Sequence, residues 1–282
     1  MREPEVHANP AVEVSDLTLG YPAHGGARAH HAVEGVTFSV PRGGVLGLLG
    51  ESGSGKSTLA TFLAGRGGDA ADRTARIRVW SGDARVLGVP MRRLSRRATA
   101  RLTERVGYLG QTTGATFAPD ITISELLLQA VQERRKPVDH ESLGLRIAEM
   151  LDLVGLPLRA LGAYPFELSK GQRQRIAVVR ALMREPTLVV ADEPTLGVDA
   201  TGRPRIVELL RWYRERTAAT MLLVTHDIGV LEALVEDVIV LQQGALVGAG
   251  TINEIFRRAD HPYVQQLARA LRSTAYDEVS EE

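Results

Sequence analysis

The chain has 282 residues, with 34 basic and 34 acidic side chains, so its formal charge is zero and nothing global draws it to nucleic acid or an anionic membrane. A hydrophobic content of 44% with 24% charged residues excludes a wholly disordered or collagen-like chain, and the absence of cysteine excludes a disulfide framework, a cysteine-ligated zinc and a thiolate-held iron–sulfur cluster. No apolar run approaches the roughly 20 residues that cross a bilayer, and Met1–Pro10 carries acids and prolines where a signal peptide would carry an apolar stretch.

In chain order, the first elements alternate. Val12, Val14, Leu17 and Leu19, then Val36, Phe38 and Val40, read as two half-buried strands with Gly25-Gly26 in the turn region between them. Val45–Leu49 is instead continuously apolar, as in a strand covered on both faces, and a glycine-rich turn and a helix from Lys56 follow. Thr122-Ile-Ser-Glu125 is a capping-box pattern ahead of Leu126, Leu127, Ala130 and Val131. Leu143, Ile147, Met150, Leu151 and Val154 keep the helical period until Gly155 and Pro157, so residues 112–180 read as mostly helical. Short apolar strands recur at Leu188–Ala191 and Met221–Thr225, each after a helical segment, which argues for an α/β sheet with parallel strands at its centre. Val238–Leu241, Gly244 and Leu246-Val247 suggest a hairpin, Thr251–Glu254 caps one more helix, and the acidic residues after about Ser273 are expected to fray.

Two segments carry chemistry. Gly50-Glu51-Ser52-Gly53-Ser54-Gly55-Lys56-Ser57, followed by Thr58, fits the phosphate-loop pattern G-x-x-x-x-G-K-[ST] in its required place between strand and helix. Glycines let successive backbone N–H groups turn toward one anion, and the helix adds its positive end, worth about 0.3–1 kcal/mol when exposed. Lys56 can reach β- and γ-phosphates of ATP and Ser57 can ligate Mg²⁺. At the end of the strand from Leu188, Asp192 and Glu193 point to different sides, so Asp192 can hold Mg²⁺, commonly through water, and Glu193 can polarise the attacking water as general base.

With Gln111, Leu168-Ser169-Lys170-Gly171-Gln172, Asp199 and His226 added in this order and spacing, the chain resembles the ATP-binding subunit of an ABC transporter over residues 11–270. The resemblance implies a RecA-like P-loop core with an N-terminal antiparallel β-subdomain and an inserted helical subdomain. In residue terms the antiparallel sheet and the first part of the core would occupy 1–110, the helical part 111–180, the second part of the core 181–250 and a helical tail 251–282. It further implies that Tyr21 stacks on adenine, that Gln111 senses the γ-phosphate and metal and links them to the helical part, and that His226 fixes the attacking water. Ser169, Gly171 and Gln172 would grip the γ-phosphate of nucleotide held by a second subunit, and Asp199 would cross that interface. The working unit would be a homodimer or heterodimer of such ATPases with two ATP between them. Lys170 stands where the family commonly has glycine, Gly197-Val198 replace a small residue and leucine before Asp199, and Leu109-Gly110 precede Gln111 where an aromatic is frequent.

Phe117–Leu126, Tyr164–Leu168 and His261-Pro262-Tyr263 are similar to the oligopeptide, dipeptide and nickel importer branch. That branch implies integral-membrane permease subunits, a solute-binding protein, a peripheral place on the cytoplasmic face of the membrane, and no nucleic acid. The alternative is a non-transport ATPase of the same family, in a phosphonate, repair or regulatory system. Arg92, Arg93, Arg96, Arg97 and Arg101, interleaved with Leu94, Ala98 and Leu102, form either a solvated helical face or a basic face for a membrane surface or membrane partner.

Overall fold

The computed structural model describes residues 9–23, 29–68, 76–132, 139–258 and 260–279. The expected turn at Gly25-Gly26 lies outside them. Strands β1 (Val12–Tyr21), β2 (His30–Val40), β4 (Arg78–Val86) and β5 (Val89–Pro90) form an antiparallel sheet in the order β2-β1-β4-β5. The step of three from Val14 to Leu17, which breaks the alternation of β1, is a bulge. Asp16 takes φ 47° there, so both residues face the core.

The second sheet runs β10-β9-β3-β8-β7-β6, where β3 is Val45–Gly50, β6 Val106–Leu109, β7 Leu188–Asp192, β8 Thr220–Val224, β9 Asp237–Gln242 and β10 Ala245–Thr251. All neighbours are parallel except the edge hairpin β9–β10. The central strands β3, β7 and β8 are buried throughout because each is covered twice, whereas edge strand β10 is only partly buried. Leu46, Leu48, Val190, Leu222 and Val224 pack toward the antiparallel sheet and helix α1 (Lys56–Leu63). Their alternates Val45, Leu49, Val189, Ala191, Met221 and Leu223 pack toward the helices on the other side.

Between β6 and β7 lie α3 (Ile123–Gln132), α4 (His140–Leu153) and α5 (Lys170–Leu182). Thr122 and Glu125 form the expected reciprocal cap, with Thr122 N–H donating to the carboxylate at 2.7 Å and Glu125 N–H to the hydroxyl at 3.3 Å. Asp139 caps α4, which ends at Gly155 with φ 64°. α2 (Arg96–Arg105) carries Arg96, Arg97 and Arg101 and buries Leu102, while Arg92 and Arg93 of the expected basic face precede the helix, which Ser95 caps. α6 (Arg203–Thr217) and α7 (Ile228–Leu234) complete the outer layer, and α8 (Ile252–Arg258) follows the Thr251–Glu254 cap. The final helix, α9 (Pro262–Val279), runs past Ser273, where fraying was expected, because no glycine or proline interrupts the chain between Val264 and Val279.

Candidate nucleotide site

The parallel strands deliver the functional segments to one edge. β3 leads into the P-loop, β6 into Gln111, β7 into Asp192 and Glu193, and β8 into His226, all at carboxyl ends. A cleft of about 670 Å³ opens there, lined by Tyr21, Ser52, Gly53, Gly55, Lys56, Ser57, Thr58, Gln111, Asp192, Glu193 and His226. Gly50, Glu51 and Ser54 form the back of the loop. Gly50 and Gly55 have φ 143° and 99°, and a Cβ at either would stand 2.1–2.0 Å from the carbonyl oxygens of Leu241 and Ala32. The backbone therefore turns inward where no other residue fits.

Lys56 is buried, and its Nζ donates to the carbonyls of Gly50 and Glu51 at 2.7 Å each and lies 3.5 Å from Ser54 Oγ. Burial pulls its pKa down, opposed by the charges of Glu193, Asp192 and Glu51. Asp192 is buried at the end of β7, and burial raises its pKa against the Ser57 hydrogen bond and Lys56. The Ser57 hydroxyl and Asp192 carboxylate are thus adjacent hard oxygen donors, the set that suits Mg²⁺. Among the described residues no cluster of three or more His, Cys, Asp or Glu forms an all-protein metal cage. Mg²⁺ usually takes the rest of its shell from phosphates and water, so these residues fit the family's metal.

Glu193 occupies the left-handed region at φ 53°. Its N–H donates to Val224 O at 2.8 Å and its carbonyl accepts Leu196 N–H at 3.1 Å. Burial pushes its carboxyl pKa up to about 7, opposed by a hydrogen bond from the His226 backbone N–H. His226 Nε2 lies 3.5 Å from Glu193 Oε1, and burial followed by the charge of Lys56 lowers the imidazole's pKa. With both groups pushed toward neutrality, the contact is a polar one and not an ion pair. Tyr21 is anchored at the cleft wall by a 3.1 Å hydrogen bond between its hydroxyl and Thr58 Oγ1.

Ser169, Gly171, Gln172 and Asp199 do not line this cleft. Ser169 N-caps α5: its Oγ accepts Gln172 N–H at 3.1 Å, and Gln172 Oε1 accepts Ser169 N–H at 2.8 Å. The cap uses the hydroxyl as an acceptor, which leaves its proton to donate elsewhere. Arg173 braces the loop through the carbonyls of Pro165 and Leu168. Lys170 lies across Gly197, where a Cβ would come within 2.6 Å of its Cε. Two of the three departures from the family pattern, Lys170 and Gly197, therefore fit each other. Thr201 Oγ1 donates to Asp199 at 2.7 Å, and this bond lowers the carboxylate's pKa.

Several residues escaped sequence reasoning. Gln174, buried on α5, donates through Nε2 to the carbonyls of Glu193 and Pro194 at 3.2 and 3.0 Å and ties the Ser169 helix to the acidic strand end. His30 lines the cleft because the β1–β2 register sets it opposite Tyr21. Tyr263, noticed only as part of His261-Pro262-Tyr263, accepts a hydrogen bond from the backbone N–H of Glu51 in the P-loop.

A parallel core with this phosphate loop, an antiparallel sheet beside it and a helical insert ending in α5 defines a P-loop nucleotide hydrolase of the cassette type. The ABC transporter family model matches residues 33–196. The provisionally named peptide import ATP-binding protein BOV_A0347 of Brucella ovis is 34% identical over 241 residues, 86% of this chain and 73% of that protein. The oligopeptide transport ATP-binding protein OppF of Lactococcus lactis is 30% identical over 267 residues, 93% of this chain and 80% of that protein. The dimeric ATP-binding cassette MJ0796, in a post-hydrolysis state bound to ADP and Pi, superposes with a TM-score of 0.73 at 26% identity, covering 86% of this chain and 98% of that one. The chain belongs to the ABC transporter family and is one of its ATP-hydrolysing cassettes. These relatives are transport proteins, so the non-transport alternative is not favoured. No helix among the described residues is long and apolar enough to cross a membrane.

Proposed function

We propose that the chain powers a small-solute importer, of which peptide is the substrate class named for its relatives, from the cytoplasmic face of the membrane. It acts on separate permease subunits, supplied by a solute-binding protein, and as one half of a dimer of cassettes. In this reading the helical part, 111–180, is inserted between the two parts of the core, 1–110 and 181–250, and 251–282 follows as a helical tail. What carries this reading is that Gln111, Asp192, Glu193 and His226 meet the P-loop in one cleft, while Ser169 and Gly171 open outside it.

In the cleft, Lys56 exchanges its two backbone acceptors for β- and γ-phosphate oxygens, and the N–H groups of Gly53–Thr58 hold the remaining charge. Ser57 and Asp192, with Gln111 on the same cleft wall, would hold Mg²⁺, which when bound would neutralise charge on the phosphates. Glu193 accepts a proton from the attacking water. Its position near pH 7 suits the task, since it is a stronger base than an ordinary carboxylate. His226, uncharged, orients that water beside Glu193. Ser169 O–H and Gly171 N–H, at the positive end of α5, complete the γ-phosphate pocket of the opposite cassette, and Asp199 faces the same junction. ATP therefore favours the closed dimer and ADP, lacking the bridging phosphate, does not.

The test is phosphate release by the purified chain and by Glu193→Gln. The variant keeps ATP binding and loses about 10²–10⁴-fold in turnover; unchanged hydrolysis would remove Glu193 from its role. Retention of the chain by membrane permease subunits on copurification tests the transport assignment.

A further inference from the structure

Tyr108, in β6, does not line the nucleotide cleft, yet its side chain joins two elements that do. Its hydroxyl and Thr61 Oγ1 of α1 form a hydrogen bond of 2.8 Å. Burial raises the phenol's pKa above its ordinary value, against the Thr61 bond, so the ring keeps its proton at neutral pH and can donate. Thr61 stands one turn beyond Ser57 on the same face of α1. The helix that presents the Ser57 hydroxyl to the cleft thus presents the Thr61 hydroxyl to β6. On its other side Tyr108 meets the turn that carries Gln111. Side chains two apart along a strand share a face, and Gly110 follows Tyr108 at that spacing. A Cβ at Gly110 would stand 2.9 Å from the Tyr108 hydroxyl oxygen and 3.1 Å from its Cε1, so the ring occupies the space that a side chain there would need. The aromatic that frequently precedes Gln111 in the family is absent at Gly110, and the Tyr108 ring lies over that position instead. Thr113 closes the turn: its N–H donates to Gly110 O at 3.0 Å and its Oγ1 accepts Gly110 N–H at 2.9 Å.

We propose that Tyr108 is a positioning residue for Gln111: bonded to Thr61 and packed on Gly110, it sets the Gln111 turn against the helix that presents Ser57. The inference rests on the reading of Gln111 as the sensor of γ-phosphate and metal, and it names what holds that sensor in place. Tyr108 lies outside the cleft and acts through the distance between Gln111 and the Ser57–Asp192 pair. Lys56 and the N–H groups of the loop hold the nucleotide without it. Loss of the Tyr108–Thr61 bond therefore reaches the turnover step and leaves ATP affinity in place.

Steady-state phosphate release by the full chain tests this, at a chain concentration where wild-type turnover per chain is maximal. The variants are Tyr108→Phe, Thr61→Val and Thr61→Ser, with Tyr108→Phe made also in a Gln111→Ala background. Tyr108→Phe keeps the ring over Gly110 and removes only the hydrogen bond. Tyr108→Phe and Thr61→Val should each lower kcat about three- to tenfold, with KM for MgATP within about twofold of wild type. The double variant should be no slower than either single one, because both remove the same bond. Thr61→Ser, which keeps the hydroxyl, should turn over like wild type. In the Gln111→Ala chain, itself slow, Tyr108→Phe should have no further effect. A Tyr108→Phe chain with wild-type kcat overturns the positioning role while Gln111 keeps its own. So does a KM that rises as much as kcat falls, or a Tyr108→Phe change that slows the Gln111→Ala chain by the same factor. A Gln111→Ala chain with wild-type kcat instead removes Gln111 as the sensor, and the inference falls with it.

Discussion

Glu193 is a non-glycine residue in the left-handed region, a conformation that costs about 1–3 kcal/mol and persists only where its surroundings fix it. Val224 O fixes its N–H and Gln174 fixes its carbonyl, so the carboxylate is aimed by hydrogen bonds on both sides. Its titration is a stability statement as well. The carboxyl rises from an ordinary 4.5 to about 7 on folding. Between those values the folded chain holds a proton that the unfolded chain has released, so this group stabilises the fold at low pH and the stabilisation is lost as pH rises through 7. Denaturant unfolding of the metal- and nucleotide-free chain at pH 5 and pH 8 should show that loss, and Glu193→Gln should lack it. Lowered on folding, His226 contributes with the opposite sign, which is why the difference between wild type and variant is the quantity to compare. Gln174→Ala takes its donor from Pro194 O and leaves Glu193 O with Leu196 N–H alone. It should lower kcat about tenfold with KM little changed, since it touches Glu193 and Pro194 and no nucleotide-binding residue. An equal rise in KM would show that it acts on binding.

At the scale of elements, Lys170 and Gly197 join the start of α5 to the turn before Asp199. A methyl at Gly197 would meet Lys170 Cε at 2.6 Å, on a backbone already at φ 73°. Gly197→Ala should destabilise the chain, and Lys170→Gly should relieve the steric part while leaving the backbone strain. A double-mutant cycle read by denaturant unfolding should give a coupling of about 0.5–3 kcal/mol; additive effects would show that the side chains do not share that space. This pairing also marks how far the sequence could be read. The central strands, the P-loop and the Thr122 cap were legible because each is written in consecutive residues, by double coverage, a glycine spacing or a local hydrogen-bond pattern. Gln174, His30 and Tyr263 were not, because register and tertiary packing alone bring His30 to the cleft and set Gln174 and Tyr263 against the backbone of Glu193 and Glu51. The same holds for Lys170 and Gly197, each of which read as a departure until the fold laid one across the other.

At the scale of the whole molecule, the chain holds its candidate catalytic groups in two places. One edge of the parallel sheet gathers the phosphate loop, the acidic strand end, Gln111 and His226, while the Ser169 cap opens elsewhere. The topology makes this legible only in part. Motif order located both groups along the sequence, but which of them share a cleft depends on strand order in the sheet. If the second group completes the pocket of another cassette, one chain by itself lacks a γ-phosphate clamp. ATP turnover per chain, followed with light scattering over a hundredfold dilution at saturating MgATP, tests this most directly. The account predicts that turnover per chain falls as dimers dissociate and vanishes where the mass is that of one chain; an undiminished rate in that single-chain species would contradict it.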